Sequence, residues 1–232
     1  MADRDLRLVV FDFDGVIADS EPAHFEAFRR TLKSIGVNLS WDQYCETYLA
    51  YTDREAIQMA LRQRGNEPSQ AEIDDLAAIK RRDFAKSLDS HLKILPGVPE
   101  LLADLNKHQI PFGICSGAMR SEIEFVLQKS GLLPYFHFIV AADDVERSKP
   151  DPEAYLLSMK VGSEFCNHDK DLESTECIAV EDSVGGIRAA KAAGMVCLGV
   201  TNSYPAEQLR QADVVVDNLT VVDTDFLKKL LD

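Results

Sequence analysis

The sequence predicts an α/β protein built on a doubly wound parallel sheet, with an all-helical cap domain inserted after the first strand. Three observations lead to this fold class. Short apolar runs alternate with amphipathic helical segments over most of the 232 residues. Acidic, hydroxyl or basic residues directly follow several of these runs. One long segment near the start carries helical periodicity and lacks any run that indicates a strand.

The first strand is predicted at Leu6–Phe11, an apolar run rich in valine and bounded by charged residues. Residues 16–92 then repeat apolar side chains at helical spacing, and Asp53 is expected to cap one of the helices. We therefore expect a core domain formed by residues 1–15 and 93–232. The cap domain is expected to comprise residues 16–92.

Beyond residue 92, helices and strands alternate again. The strands are predicted at residues 112–115, 138–142, 177–180, 196–200 and 214–216. A helix is expected to begin near Asp151, others to end at Gly131 and Gly194, and the last to contain Phe226 and Leu231. In a doubly wound sheet the carboxyl ends of the strands meet at one edge, where ligands bind. Polar residues after these strands are therefore candidates for one shared site.

Charge and cysteine content limit the class of protein. The chain has 25 Lys and Arg against 39 Asp and Glu, a formal net charge of −14, which argues against binding nucleic acids or anionic membranes. No apolar run reaches the roughly 18 residues of a membrane span, and the charged N-terminal segment does not resemble a signal peptide. The five scattered cysteines fit neither a disulfide framework nor a zinc site. We expect a cytoplasmic protein, either a monomer or a weak dimer.

Two pairs of acidic residues follow predicted strands. Asp12 and Asp14 come directly after the first strand, and Glu181 and Asp182 follow the strand at 177–180. Like charges this close ionise together readily only beside a cation, and Mg²⁺ prefers such oxygen ligands. Each pair taken alone also fits a turn followed by a helix cap.

A hydroxyl, a glycine and a lysine lie in the corresponding places after other strands. Ser116 and Gly117 could cradle an anion or form an ordinary helix cap. Lys149 lies between Ser148 and Pro150 in a stiff segment that suits a fixed positive charge, although a solvated lysine is the alternative. Together with the acidic pairs, these groups match the needs of phosphoryl transfer.

On these motifs the chain resembles the haloacid dehalogenase superfamily of phosphotransferases over nearly its whole length. The four motifs of that family are similar to DFDGV from Asp12, Ser116-Gly117, KPDP from Lys149, and Glu181-Asp182-Ser183. The helical insert and the run DGVIADSEP from Asp14 resemble the subgroup that contains β-phosphoglucomutase and phosphoglycolate phosphatase.

The resemblance implies a catalytic role for each motif. Asp12 would be the nucleophile that forms an aspartyl-phosphate. Asp14 would protonate the leaving oxygen, then activate water, and its backbone carbonyl would bind Mg²⁺. Asp182 would also bind Mg²⁺, with Glu181 in or near the ligand shell.

The resemblance also implies which groups hold the substrate. Ser116, Gly117 and Lys149 would bind the transferring phosphoryl group. Further contacts with a small phosphorylated metabolite, such as a sugar phosphate, are expected from Glu21, His24, Arg54 and Arg120.

The expected function is magnesium-dependent hydrolysis of a small phosphomonoester. The presence of Asp14 argues against dehalogenation, because family members that cleave carbon–halogen bonds lack this second carboxylate. A phosphohexomutase of the β-phosphoglucomutase type is the alternative. His24 favours the mutase, whereas the run Ser20–Pro22 looks more like the phosphatases. A catalytically silent binding protein on the same fold is a distant third reading.

Overall fold

A computed structural model describes residues 5–48, 51–65, 67–166 and 171–231, without the side chains of residues 89–91. The chain forms two compact units. The first contains Met1–Asp19 and Ile94–Asp232, and the second contains Ser20–Lys93. Among the described residues, none of the helices combines the length and the apolar character that crossing a membrane requires.

The strands, in chain order, are β1 (Leu8–Phe11), β2 (Ala18–Asp19), β3 (Lys93–Ile94), β4 (Phe112–Cys115), β5 (Phe138–Val140), β6 (Cys177–Glu181), β7 (Val196–Val200) and β8 (Val214–Val216). Six of them form one sheet in the order β5-β4-β1-β6-β7-β8, and the pairings between neighbours are parallel. The order reverses at β1, which lies between β4 and β6. Phe11 at the end of β1 pairs with Ile114 on one side and Val180 on the other.

The helices are α1 (Glu21–Ser34), α2 (Trp41–Thr47), α3 (Asp53–Gln63), α4 (Gln70–His91), α5 (Val98–Lys107), α6 (Arg120–Ser130), α7 (Glu153–Gly162), α8 (Val184–Ala192) and α9 (Thr224–Lys228). Helix α7 packs on β1, β4 and β5, whereas α8 packs on β6 and β7. The predicted parallel sheet flanked by helices is therefore confirmed. Strands β1, β4 and β6 are wholly buried, which explains their continuous apolar sequences.

Helices α1 to α4 make up almost all of the second unit. Three of them begin with a capping box, in which the hydroxyl of Ser40, Thr52 or Ser69 accepts an N–H bond and a Glu or Gln three residues later bonds back to the cap. Asp53, predicted as a cap, is instead the first residue of α3, because Thr52 takes that position. The apolar faces of these helices form a separate core around Phe28, Leu32 and Ile57.

Several predicted boundaries differ from the structure. Strand β5 ends at Val140 rather than at residue 142, because the Asp144 carboxylate accepts the Ala141 N–H bond and turns the chain. Helix α9 ends at Lys228 and does not include Leu231. The two-residue strands β2 and β3 were not predicted, since runs this short have no periodicity to detect.

Candidate active site

The carboxyl ends of β1, β4 and β6 bring four of the predicted site residues to one edge of the sheet. Asp12 follows β1, Ser116 follows β4, Glu181 is the last residue of β6, and Asp182 comes next. All four side chains are buried, and Glu181 has no exposed surface. This edge lies where the strand order reverses, the place at which parallel α/β sheets bind ligands.

Lys149 connects three of these strand ends. Its ammonium donates to Asp12 Oδ1 at 2.6 Å, to Glu181 Oε1 at 2.6 Å and to the Cys115 carbonyl at 2.9 Å. Burial by itself would lower the pKa of Lys149, but the Asp12 and Glu181 carboxylates outweigh it and raise that pKa well above its ordinary value. The site therefore holds a permanent cation beside Asp12.

The Glu181 carboxylate accepts hydrogen bonds at both of its oxygens. Oε1 accepts from Lys149 and from the Tyr155 hydroxyl, the latter at 2.8 Å. Oε2 accepts from the Ser183 hydroxyl at 3.0 Å and from the backbone N–H groups of residues 182 and 183. Gly186 in the first turn of α8 allows this approach, because a Cβ atom there would overlap the carboxylate. Glu181 thus anchors Lys149 and the start of α8.

Asp12, Glu181 and Asp182 form a compact acidic group. One ligand oxygen from each lies within 4.8 Å of the others. Burial, with the repulsion from Glu181 and Asp14, raises the pKa of Asp12 to about 7 despite the attraction of Lys149. Burial and the charge of Asp12 raise the pKa of Asp182 to about 8. A divalent cation with oxygen ligands would relieve this repulsion, so the donor set fits Mg²⁺.

The other residues of the predicted phosphoryl site lie at the same edge. The Ser116 hydroxyl oxygen accepts the Ala118 N–H bond at 3.0 Å, which leaves its proton able to donate to a ligand. Gly117 is exposed. Asp14 is half-buried in the turn after β1, and its charge acts on Asp12. The Asp14 carboxylate is not part of the acidic group; its predicted metal ligand is the backbone carbonyl.

The loop after β7 supplies two further contacts. The Ser203 hydroxyl makes a short hydrogen bond to Asp182 Oδ2, and Asn202 Nδ2 donates to the Gly15 carbonyl at 2.7 Å. Gly15 has φ +76°, and a Cβ atom there would overlap the Asp182 carboxylate. This loop therefore ties the turn after β1 to Asp182.

Comparison with known proteins identifies the family of this chain. The family model described as haloacid dehalogenase-like hydrolase matches residues 9–200, which include all four strand-end motifs. The chain belongs to the haloacid dehalogenase-like hydrolases. It is an enzyme of this family, and the predicted family membership is confirmed.

The relatives of this hydrolase include both phosphatases and phosphomutases. It is 32% identical to validoxylamine A 7'-phosphate phosphatase of Streptomyces hygroscopicus subsp. limoneus, over 93% of this chain and 95% of that protein. It is 30% identical to β-phosphoglucomutase of Bacillus subtilis, over 91% and 89% of the two chains. The crystal structure of β-phosphoglucomutase from Clostridium difficile superimposes with a TM-score of 0.80 at 26% identity and covers 97% of each chain.

Arg120 of this hydrolase lies at the start of α6 and is engaged with protein groups. Its guanidinium donates to the Ile139 carbonyl at 2.8 Å and to Asp144 Oδ2 at 2.6 Å. A longer ion pair joins it to Glu124. These contacts hold the turn after β5 against α6. A role for Arg120 in binding substrate remains a prediction.

The remaining predicted substrate contacts belong to the helical unit. Glu21 accepts a hydrogen bond from the buried Tyr44 hydroxyl at 2.8 Å. Arg54 forms an ion pair with Asp74, and both side chains are about half exposed. Each therefore has a partner within its own unit, and neither role in substrate binding is tested by these contacts.

His24 is half-buried and belongs to a polar group that packs against aromatic rings. Its Nδ1 atom is 2.7 Å from the Lys80 ammonium, and its ring stacks on Phe84 at 4.1 Å. Lys80 is wholly buried and forms an ion pair with Asp53 at 2.8 Å. Burial and the neighbouring charge of Lys80 hold the pKa of His24 well below its ordinary value. His24 is therefore neutral near pH 7, and its Nδ1 atom accepts a hydrogen bond from Lys80.

The sequence did not indicate site roles for Tyr155, Asn202 and Ser203. Asn202 and Ser203 follow a strand, as the other site residues do, so the same strand-end rule could have found them. Tyr155 gave no such signal, because it occupies a core position of α7 and counts as an apolar residue in the helical pattern.

Proposed function

We propose that this hydrolase is a magnesium-dependent phosphatase that cleaves a small phosphomonoester through an aspartyl-phosphate on Asp12. The observation that carries the proposal is the position of Asp12. Its buried carboxylate lies at the reversal of the strand order, 2.6 Å from a lysine and within an acidic group that fits a divalent cation. A nucleophile, a fixed cation and oxygen ligands for a metal are the parts that phosphoryl transfer requires.

In the first step an oxygen of Asp12 attacks phosphorus and the bond from phosphorus to the ester oxygen breaks. The leaving oxygen takes a proton from Asp14, and Asp12 carries the phosphoryl group. In the second step Asp14 takes a proton from water, the water oxygen attacks phosphorus, and the bond to Asp12 breaks. Phosphate leaves and both carboxyl groups return to their starting states.

The cationic and donor groups act on the phosphoryl oxygens. Lys149 would share an N–H bond between Asp12 and the phosphoryl group, while Ser116 and the Gly117 backbone N–H would hold the other oxygens. Lys149 also favours the ionised form of Asp12, which is the form that attacks.

Asp12, Asp182 and the Asp14 backbone carbonyl are the groups that would hold Mg²⁺. When bound, the ion neutralises charge on the phosphoryl oxygens and on the crowded carboxylates. Both Glu181 oxygens already accept protein donors, which favours a place for Glu181 outside the direct ligands. Ser203 would orient Asp182 toward the ion.

The proposed substrate is a small phosphorylated metabolite, such as a sugar phosphate. A related enzyme that shares 32% identity is a phosphatase named for a 7'-phosphate substrate. Substrate selection is assigned to the helical unit, where Glu21, His24 and Arg54 are the proposed contacts for the part remote from phosphorus, together with Arg120 from the first unit.

A phosphohexomutase is the second candidate. It is favoured by the contact between His24 and the buried Lys80 and by 30% identity to a β-phosphoglucomutase over most of both chains. A mutase would return the phosphoryl group of phospho-Asp12 to a sugar hydroxyl instead of to water. Turnover of a hexose 1-phosphate primed with a bisphosphate, without release of phosphate, would select this alternative.

The test is a screen for phosphate release from sugar phosphates, phosphoglycolate, nucleotides and sugar bisphosphates, each with and without Mg²⁺. We expect metal-dependent release from a narrow set of substrates. Asp12→Asn should abolish turnover and leave the fold intact, because the amide cannot attack phosphorus. Residual activity above about 10% in a clean preparation would contradict the assignment of the nucleophile.

A further inference from the structure

Tyr155 is a wholly buried tyrosine of α7 whose polar and aromatic groups both face the proposed site. Its hydroxyl donates to Glu181 Oε1 at 2.8 Å. The Lys149 ammonium lies 4.9 Å from the centre of its ring and 3.4 Å from its oxygen. One side chain thus contacts the anion and the cation of the Lys149–Glu181 pair at the same time.

The hydrogen bonds of Lys149 leave it no spare donor. An ammonium has three N–H bonds, and the Asp12, Glu181 and Cys115 acceptors lie at 2.6, 2.6 and 2.9 Å. A phosphoryl group arriving at Asp12 must therefore share one of these bonds. The hydrogen bond from Lys149 to Glu181 can weaken only if another donor bonds to Oε1. The Tyr155 hydroxyl, which donates to Oε1 at 2.8 Å, is that donor.

We infer that Tyr155 is a positioning residue for phosphoryl transfer, an inference that rests on the proposed function. Its hydroxyl holds the Glu181 carboxylate, and its ring supports the Lys149 ammonium, so that Lys149 is directed at Asp12. The residue acts through Lys149 and Glu181 and makes no bond to the reacting atoms. Its ring also packs in the core of the first unit, so the test must separate a positioning role from simple packing.

Tyr155→Phe removes the hydroxyl and keeps the ring. Oε1 of Glu181 then retains Lys149 as its one described donor, so the ammonium is drawn toward Glu181 and away from Asp12. Tyr155→Leu removes the ring as well and takes away the cation–π contact with Lys149. Comparison of the two variants therefore separates the contribution of the hydroxyl to the position of Lys149 from that of the ring.

The matched control is Tyr48→Phe. Tyr48 is also a buried tyrosine, but its hydroxyl donates to the neutral Gln63 side chain at 3.2 Å within the helical unit. The same chemical change is thus made at a position that has no part in the proposed site.

The experiment measures kcat, substrate KM, Mg²⁺ affinity by calorimetry and thermal stability for the wild-type enzyme and the three variants. For Tyr155→Phe we expect kcat to fall about tenfold, the loss typical of a hydrogen bond to a charged group, with KM within about twofold. The Mg²⁺ dissociation constant should rise about threefold or more, because Glu181, a member of the acidic group, is then held less firmly. Tyr155→Leu should lower kcat and weaken Mg²⁺ binding more than Tyr155→Phe does. Tyr48→Phe should change neither kcat nor Mg²⁺ affinity.

The inference is overturned if Tyr155→Phe keeps kcat and Mg²⁺ affinity within twofold of the wild type and loses only as much thermal stability as Tyr48→Phe. If Tyr155→Leu does not fold, Tyr155→Phe decides alone. Failure of the proposed function gives a different result, because the wild type would then release phosphate from no substrate. In that event the calorimetric comparison still decides: unchanged Mg²⁺ affinity in Tyr155→Phe overturns the positioning role, and weakened affinity supports it.

Discussion

The replacement Asp12→Asn should stabilise the metal-free protein while it removes activity. The Asp12 carboxylate is buried beside Glu181 and Asp14, and its pKa is about 7 against an ordinary 3.8 even though Lys149 lies 2.6 Å away. Ionisation of this group therefore opposes folding. The amide of asparagine has a similar shape and does not ionise, so it avoids that cost.

The magnitude follows from the change in pKa. Between about pH 4 and pH 7 the folded protein binds more protons at Asp12 than the unfolded chain does, so stability falls as the pH rises through this window and levels off above it. At pH 8 the full cost of ionising Asp12 is about 4 kcal/mol, and at pH 5 it is about 2 kcal/mol. The stability gained by Asp12→Asn should thus be larger at pH 8 than at pH 5 by about 2–3 kcal/mol.

The assay is urea unfolding of the wild type and Asp12→Asn between pH 5 and pH 8 in the presence of a chelator. Asp75→Asn at an exposed position of α4 is the control for a loss of one negative charge. Adding Mg²⁺ should stabilise the wild type more than Asp12→Asn, because the variant lacks one carboxylate ligand. A difference between wild type and variant that stays constant over this pH range to within about 0.5 kcal/mol would refute the reasoning.

Three further variants test individual contacts. Ser203→Ala should raise the Mg²⁺ concentration for half-maximal activity about three- to tenfold with a small change in kcat, because Asp182 loses a hydrogen bond that orients it. An unchanged Mg²⁺ requirement would count against this role of Ser203. Arg120→Ala should lower the free energy of unfolding by about 1–2 kcal/mol in urea titrations, since its guanidinium bonds to protein groups. It should also raise substrate KM, because the proposed contact with substrate is lost, and a KM within about twofold of the wild type would count against that contact. Arg54→Ala should raise KM for the physiological substrate far more than it lowers turnover of p-nitrophenyl phosphate, because the proposed contact of Arg54 is remote from phosphorus. Equal losses on both substrates would instead place Arg54 beside the reacting atoms.

The fold could be predicted because strands that are covered on both faces of a sheet have continuous apolar sequences. The run LVVF at Leu8–Phe11 forms a strand with every side chain buried, as its continuous apolar sequence indicates. The end of β5 could not be predicted in the same way. The residues after Val140 remain apolar, and the chain turns there because Asp144 captures the Ala141 N–H bond. A contact of that kind has no periodic signature.

The site was predictable to the extent that strand-end positions share an edge of the sheet. Asp12, Ser116, Glu181 and Asp182 lie after neighbouring strands, as the parallel topology requires. Lys149 was identified from its stiff local sequence, but its three acceptors could be named only after the strand order was known. Arg120 is predicted from the sequence to contact substrate, but its bonds to the Ile139 carbonyl and Asp144 could be named only from the structure.

The sequence by itself determined the class of this protein. Residue types at the ends of apolar runs, in a fixed order along the chain, identify a phosphoryl-transfer hydrolase because that chemistry requires particular side chains and the parallel sheet gathers them at one edge. Only the tertiary structure decided how those groups act on one another. Burial and packing at the reversal of the strand order set the raised pKa of Asp12 and Asp182, and they place Tyr155, an ordinary core residue in the pattern, between Lys149 and Glu181. These properties depend on distances between residues far apart in sequence, which local pattern does not encode.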